Sequence, residues 1–417
     1  MKHIKYFEEK AIYDSYINGD DPILPNVSYV GDVNEVFYNL PNNNSTKNYM
    51  YVEALEDGLS VQFNQLMSAN ANSLEYSTDQ KIWKTTANGV PTDTINVGEK
   101  LYFRGDVTNM DISFDNSGSI AGIGTFIFNK KCNVGGNIMS LLYVDDFEDK
   151  YDLSEYDSVF TFLFADINQT GMLIHSDKLI LPAKILSPFC YACIFGGCTS
   201  LISTPELLAT ELAEYCYCQM FTSCTSLTTS PILPATKLAD YCYDSMFAGC
   251  TSLTTAPSIL PAIELARACY QAMFRECTSL ITTPQLPATK LAEYCYASMF
   301  YECISLTTAP SILPATTLAD GCYGSMFEGC TSLTTAPELL ATTLVEYCYY
   351  YMFRGCTSLN YIKMLATDNS ARNDLSNWVN GVSPTGTFVK HPDMTTLSTG
   401  ISGIPSGWEV VDYNVAS

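Results

Sequence analysis

The sequence predicts an α+β protein in which an N-terminal β-sandwich-like domain precedes a solenoid of 26–27-residue repeats with a cap at each end. Three observations lead there. One phrase, clearest as CYGSMFEGCTSLTTAPELLATTLVEY at residues 322–347, is written seven times in succession, and its second cysteine falls at Cys198, Cys224, Cys250, Cys277, Cys303, Cys330 and Cys356. A fixed period of that length marks repeats that bury their apolar faces only by stacking. Upstream, residues 49–128 break into short alternating stretches divided by Gly, Asn and Asp turns, the pattern of a sandwich. Finally, sixteen of the seventeen cysteines lie inside the repeats, with only Cys132 outside, so cysteine is a repeat-position residue.

Taken in order, residues 1–48 read as an attachment segment. A loose helical period over residues 5–18 is broken by Asn18-Gly19-Asp20-Asp21-Pro22, and two extended runs follow at 26–30 and 35–40. The β-domain, 49–128, supplies the strands YMYVEAL, GLSVQFN, SLEYSTD, KIWKTTA, EKLYFRGD and GTFIFN, with Trp83 expected in its core. Residues 129–189 form the N-terminal cap with degenerate repeats: Phe164 stands where Phe327 stands in a full copy, and LILPA matches ILPA, but without the cysteines.

Within the solenoid, 190–365, TTLADGCYGSMFEGC sets Leu318, Cys322, Met326 and Phe327 near a period of four, which predicts a short helix closed by Gly329. TSLTTAP then predicts a strand ended by Pro337. The C-terminal cap, 366–417, offers Asp368 or Ser370 to start a last helix reaching Val379, Gly381 to end it, and GTFVKHP with GWEVVDY as closing strands. Trp378 and Trp408 are expected to cover the open end of the core.

Composition narrows function by exclusion. A net charge of -23 over 417 residues opposes nucleic acid and anionic membrane surfaces as partners. No apolar run approaches the roughly 20 residues of a membrane helix, and Glu8, Glu9 and Asp14 interrupt the place of a signal-peptide core, so synthesis in the cytosol without an export signal is expected. Paired cysteines eight apart on a helix lie roughly 12 Å from each other, beyond a disulfide, which makes them free thiols that fill the core. Cys190-x-x-Cys193 and Cys216-x-Cys218 suggest metal ligation, but the histidines are the scattered His3, His175 and His391, and no second CxxC completes a tetrahedral set. Neither metal nor cofactor is expected. With no nucleophile–base pair, carboxylate cleft or phosphate loop in context, no enzyme is expected either.

Binding remains, and the positions free to vary within the fixed frame are those that can carry it: Gln271, Arg275, Glu276, Tyr301, Glu302, Tyr350, Tyr351 and Arg354. The recurring acidic position at Glu214, Asp240, Glu293, Asp320 and Glu346 reads as a solvated face. The Thr pairs at 228–229, 254–255, 282–283, 307–308 and 334–335 predict a hydroxyl ladder that either solubilises the sheet or binds.

The run F-x-x-C-T-S-L-T-T-x-P, from Phe327 to Pro337, resembles the BspA-like branch of the leucine-rich repeats over residues 158–365, departing from it in repeat length and in the Met before the Phe. That resemblance implies a leucine-rich-repeat-type solenoid, cell-surface adhesion and ligand binding. The ends, INGDDPILPNVSYV and GTFVKHPDM with GIPSGWEVV, resemble virion and tail-fibre-like proteins of gut Bacteroides phages. This second resemblance implies a non-enzymatic virion component, a tail or head fibre or a decoration protein. Its N-terminal region would join other virion structural proteins, its solenoid would face a host-surface glycan or protein, and it would assemble as a homo-oligomer such as a trimer. The alternatives are a bacterial adhesin at the cell surface and, third, a carbohydrate-active enzyme using the β-domain.

Overall fold

The structure, a computed structural model, describes residues 47–65, 74–105, 107 and 124–413. The helix and hairpin expected within residues 1–48 lie outside the described residues, apart from the last two positions. What is described is β-rich, and its one helix, α1 (Ser140–Tyr143), is four residues long. The expected α+β composition is thereby corrected.

Among the described residues eight strands come first: β1 (Met50–Ala54), β2 (Val61–Gln65), β3 (Glu75–Ser77), β4 (Lys84–Thr85), β5 (Lys100–Arg104), β6 (Gly124–Phe128), β7 (Cys132–Asn137) and β8 (Leu173–Ile180). Six make one sheet in the order β4-β3-β5-β1-β7-β8, antiparallel except at β7–β8, and β2 pairs with β6 in a second. Period-two alternation sends Leu101 and Phe103 of β5 inward, while Phe126 of β6 meets Phe63 at 5.2 Å and Phe103 at 5.0 Å, joining the two sheets. Ser140 at the start of α1 donates to the Phe103 carbonyl at 2.9 Å and accepts the Met50 N–H at 3.0 Å, tying α1 to β5 and β1. At Gly136 (φ 78°) a side chain would collide with the Tyr49 carbonyl, so the close approach there requires glycine. Strands β7 and β8, which fall in the expected cap, hydrogen-bond into the same sheet as β1, β3, β4 and β5.

The repeats contain no helix. The stretch read as one is a ribbon of consecutive turns. In the copy around Cys242, alternate N–H groups close four-residue turns on their own chain: Asp244 to the Tyr241 carbonyl (3.1 Å), Met246 to Tyr243 (3.3 Å) and Ala248 to Ser245 (3.1 Å). The N–H groups between them cross to the next repeat: Tyr243 to Cys269 (3.0 Å), Ser245 to Gln271 (2.8 Å) and Phe247 to Met273 (2.9 Å). An α-helix would direct every N–H along its own axis and leave nothing for a neighbour. Every fourth residue is left-handed, as at Tyr241 (φ 56°), Ser245 (φ 53°) and Gly249 (φ 73°), which locks the period at four. Two residues then point in and two point out: Cys242 and Tyr243 are buried, Asp244 and Ser245 are not, and Met246 and Phe247 are buried again.

The inward pairs stack from one repeat to the next. Phe160, Tyr191, Tyr217, Tyr243, Tyr270, Tyr296, Tyr323 and Tyr349 form one column with ring centroids 5.6–6.1 Å apart. A second column runs from Phe126 through Phe164, Phe195, Phe221, Phe247, Phe274, Phe300 and Phe327 to Phe353 at 5.5–5.8 Å. Both end on Trp378, which is fully buried, lies 6.3 Å from Tyr349 and 6.0 Å from Phe353, and donates its indole N–H to the Gly403 carbonyl at 2.9 Å.

Trp378 sits in a further turn ribbon with left-handed residues at Asn373, Asn377 and Gly381, which replaces the helix expected to end at Val379. On the other side of each copy, TSLTTAP is not a full strand. Its threonines make single parallel bridges, Thr229 to Thr255 and Thr282 to Thr308. The two-residue strands β9 (Ile312–Leu313) and β10 (Glu338–Leu339) follow the proline instead. With β11 (Tyr361–Met364), β12 (Thr387–Lys390) and β13 (Glu409–Asp412) they form a five-stranded parallel sheet, and Trp408 bonds to the Ser383 carbonyl just before β13.

Candidate functional site

The outward positions of the turn ribbon place Arg275, Tyr301, Glu328 and Arg354 at one position of four successive repeats, two residues before the second cysteine of each copy. Because the ribbons are in register, these side chains form a ridge. The Arg275 guanidinium lies 4.8 Å from the Tyr301 ring centre and 2.9 Å from Glu276; Arg354 lies 4.7 Å from the Tyr351 ring centre and 3.2 Å from Glu328. A hydrogen bond to Glu302 and partial burial raise the Tyr301 hydroxyl above its usual value. Tyr350 and Tyr351 stack at 3.9 Å, and Tyr347 meets Tyr350 edge-on at 5.6 Å.

Of the eight residues expected from the sequence to bind, seven lie on this ridge face, in two groups: Arg275, Glu276, Tyr301 and Glu302 in one, Tyr350, Tyr351 and Arg354 in the other. Glu328 connects them and escaped the sequence reading, because it looks like frame in the copy taken as the reference. Gln271 lies nearby on an outward position.

A second feature was missed. Phe189, Tyr215 and Tyr241 occupy one half-buried outward position and stack at 4.6 Å with interplanar angles of 6° and 3°. An aromatic directly before the first cysteine of a copy was the available signal.

The acidic position is partly neutralised: Arg267 stands 3.6 Å from Glu293, and Arg372 stands 3.9 Å from Glu346. The Thr ladder is exposed, and its hydroxyls bond to carbonyls of the preceding repeat, Thr254 to Thr228 at 3.2 Å and Thr307 to Ile281 at 3.4 Å. Trp83 is partly buried under the Arg104 guanidinium, 4.1 Å from its ring centre.

All seventeen cysteines are free and buried. Burial pushes the Cys190, Cys242, Cys250 and Cys303 thiols up to about 12, so they stay protonated, and Cys250 and Cys303 donate S–H bonds to the Phe221 and Phe274 carbonyls. Among the described residues no group of three or more His, Cys, Asp and Glu side chains is placed to hold a metal ion, and no helix is long and apolar enough to cross a membrane.

No protein-family model matches the chain, and no curated protein does. Among solved structures, a leucine-rich repeat protein from Bacteroides ovatus is similar, with 15% identity over 69% of this chain and 87% of that one and a TM-score of 0.25.

Proposed function

We propose that the stacked repeats form a leucine-rich-repeat-type solenoid of the BspA-like kind behind a small β-sandwich, and that the chain is a non-enzymatic phage virion component, a fibre or decoration protein. It binds a host-surface glycan or protein through the ridge. The observation that carries the binding reading is the ridge itself: Arg275 and Arg354 are each laid on a tyrosine ring and each paired with a glutamate, which holds guanidinium and phenol groups in place on the surface. Fixed Arg and Tyr side chains lose little entropy when a partner docks, the property of interface anchors. The virion reading is supported by the resemblance of the chain's ends. Residues 1–48 are its proposed attachment to other virion proteins, and a trimer its proposed assembly.

Two experiments test this. Protein mass spectrometry of purified virions should detect the chain; its absence from particles and presence on bacterial surfaces would favour the surface-adhesin reading that the repeat resemblance suggests. The triple variant Arg275→Ala/Tyr301→Ala/Tyr351→Ala should lose attachment to host cells while its circular dichroism is unchanged. Attachment at the original level would overturn the ridge as the binding surface.

A further inference from the structure

Two cysteines stand apart from the core columns. Cys193 and Cys218 occupy outward positions of neighbouring ribbons, where other copies carry Asp244, Ser245, Gln271 or Tyr351. They are 6% and 9% exposed, whereas every other cysteine is 0% exposed. The Cys193 N–H donates to the Cys218 carbonyl at 2.9 Å, a cross-ribbon bond that sets their Cα atoms roughly 5–6 Å apart, within the span of a disulfide.

Each thiol has one weak polar partner on the next ribbon: Cys193 Sγ lies 3.5 Å from Gln219 Oε1, and Cys218 Sγ lies 3.6 Å from Asp244 Oδ2. Neither is locked as the second cysteine of each copy is, whose sulfur donates to a buried Phe carbonyl at 3.0–3.2 Å. A slightly exposed sulfur with a long, single contact is freer to turn about its Cα–Cβ bond than a fully buried one that donates a short bond to a carbonyl.

We infer that Cys193 and Cys218 are a redox pair that closes to a disulfide when the folded protein meets a small-molecule disulfide, linking the first two repeats beside the Phe189–Tyr215–Tyr241 stack. In the first step the Cys218 thiol loses its proton to solvent hydroxide, and its sulfur attacks the reagent disulfide, forming a mixed disulfide and releasing one thiolate. In the second, Cys193 loses its proton to solvent, attacks the Cys218 sulfur, and releases the other thiolate. The protein loses two electrons and two protons, and the reagent is reduced to two thiols. Burial, followed by the Asp244 charge, pushes the Cys193 thiol up to about 12, and Cys218 is raised further, so closure is slow at neutral pH and gains roughly tenfold in rate per pH unit between 7 and 9.

The test incubates the full native chain with oxidised glutathione, quenches it with an alkylating agent and cleaves after glutamate. Glu206, Glu211 and Glu214 separate the two cysteines, so a Cys193–Cys218 link appears as a joined peptide pair two hydrogens lighter than the reduced pair and reverts with dithiothreitol. Cys193→Ser should abolish the link and leave glutathione on Cys218. The inference is overturned if glutathione accumulates on wild-type Cys218 without the link, if other cysteines pair first, or if the folded protein gains no link under conditions that fully oxidise the unfolded chain.

Discussion

The thiol of Cys250 donates to the carbonyl of Phe221 in the preceding repeat at 3.1 Å, and that same carbonyl accepts the N–H of Cys224 at 3.1 Å. The bond recurs at Cys224 to Phe195, Cys277 to Phe247 and Cys303 to Phe274, so the second cysteine of each copy stitches its repeat to the one before as well as filling space. Cys250→Ala should cost about 1–2 kcal/mol in urea denaturation, from the lost bond and the small void. Cys250→Ser, which keeps a donor, should cost less. Equal losses would reduce this cysteine to filler.

The two aromatic columns should respond oppositely to loss of a polar atom and loss of a ring. The hydroxyls of Tyr191, Tyr243, Tyr270 and Tyr296 are buried without a hydrogen-bond partner. Tyr243→Phe should therefore be neutral or stabilising by up to about 1 kcal/mol, since it removes an unsatisfied group. Phe247→Ala, which breaks the neighbouring column in mid-array, should cost about 3–5 kcal/mol. Thermal denaturation of both variants checks the contrast.

Left-handed positions supply a third comparison. Gly249 (φ 73°) would place a Cβ 3.4 Å from Ser223 Oγ, so Gly249→Ala should destabilise by about 1–2 kcal/mol. Ser245 (φ 53°) carries the strain already, and Ser245→Gly should return up to about 1 kcal/mol of it. If the two variants shift the urea midpoint the same way, backbone strain is not what separates them.

Asp374 stands where full repeats have their first cysteine. One carboxylate oxygen accepts the Leu375 N–H at 2.8 Å and the other is buried unpartnered, and burial raises the group from 3.8 to about 6. The folded state then holds its proton over a range where the unfolded state has released it, so stability falls as pH rises from about 4 to 6 and stays lowered above that. Asp374→Cys should remove this part of the slope and stabilise the protein at pH 7. Denaturation midpoints measured from pH 4 to 7 decide it, and a slope of the same size in the variant would rule out Asp374 as its source.

The repeat frame was legible because identical copies announce themselves, and the stretches read as strands between 49 and 128 fall on β1–β6, where alternation and turn residues mark them. The helix was misread for a definable reason. Cys-Tyr-x-x-Met-Phe-x-x-Cys keeps adjacent apolar pairs at a spacing of four with no drift, whereas a helical stripe drifts because its period is 3.6. Gly329 looked like a helix stop but is the third left-handed position in its ribbon, after Gly321 and Ser325. Arg275 and Tyr301 stood out as departures from the frame. Their contact across 26 positions could not be read, because it depends on a ribbon register that a helix would not have produced. Phe189 and Tyr215 were hidden for the opposite reason, since residues that match their counterparts look like scaffold.

The Phe column does not begin in the repeats. Its first ring, Phe126, belongs to β6, and Phe164 and Phe195 are laid on it in turn. The N-terminal sheets thus serve as the end plate of the stack. They present an aromatic face to the first ribbon, and each ribbon presents the same face to the next. A chain stripped of its sheets would keep every repeat yet leave Phe164 without the ring it rests on.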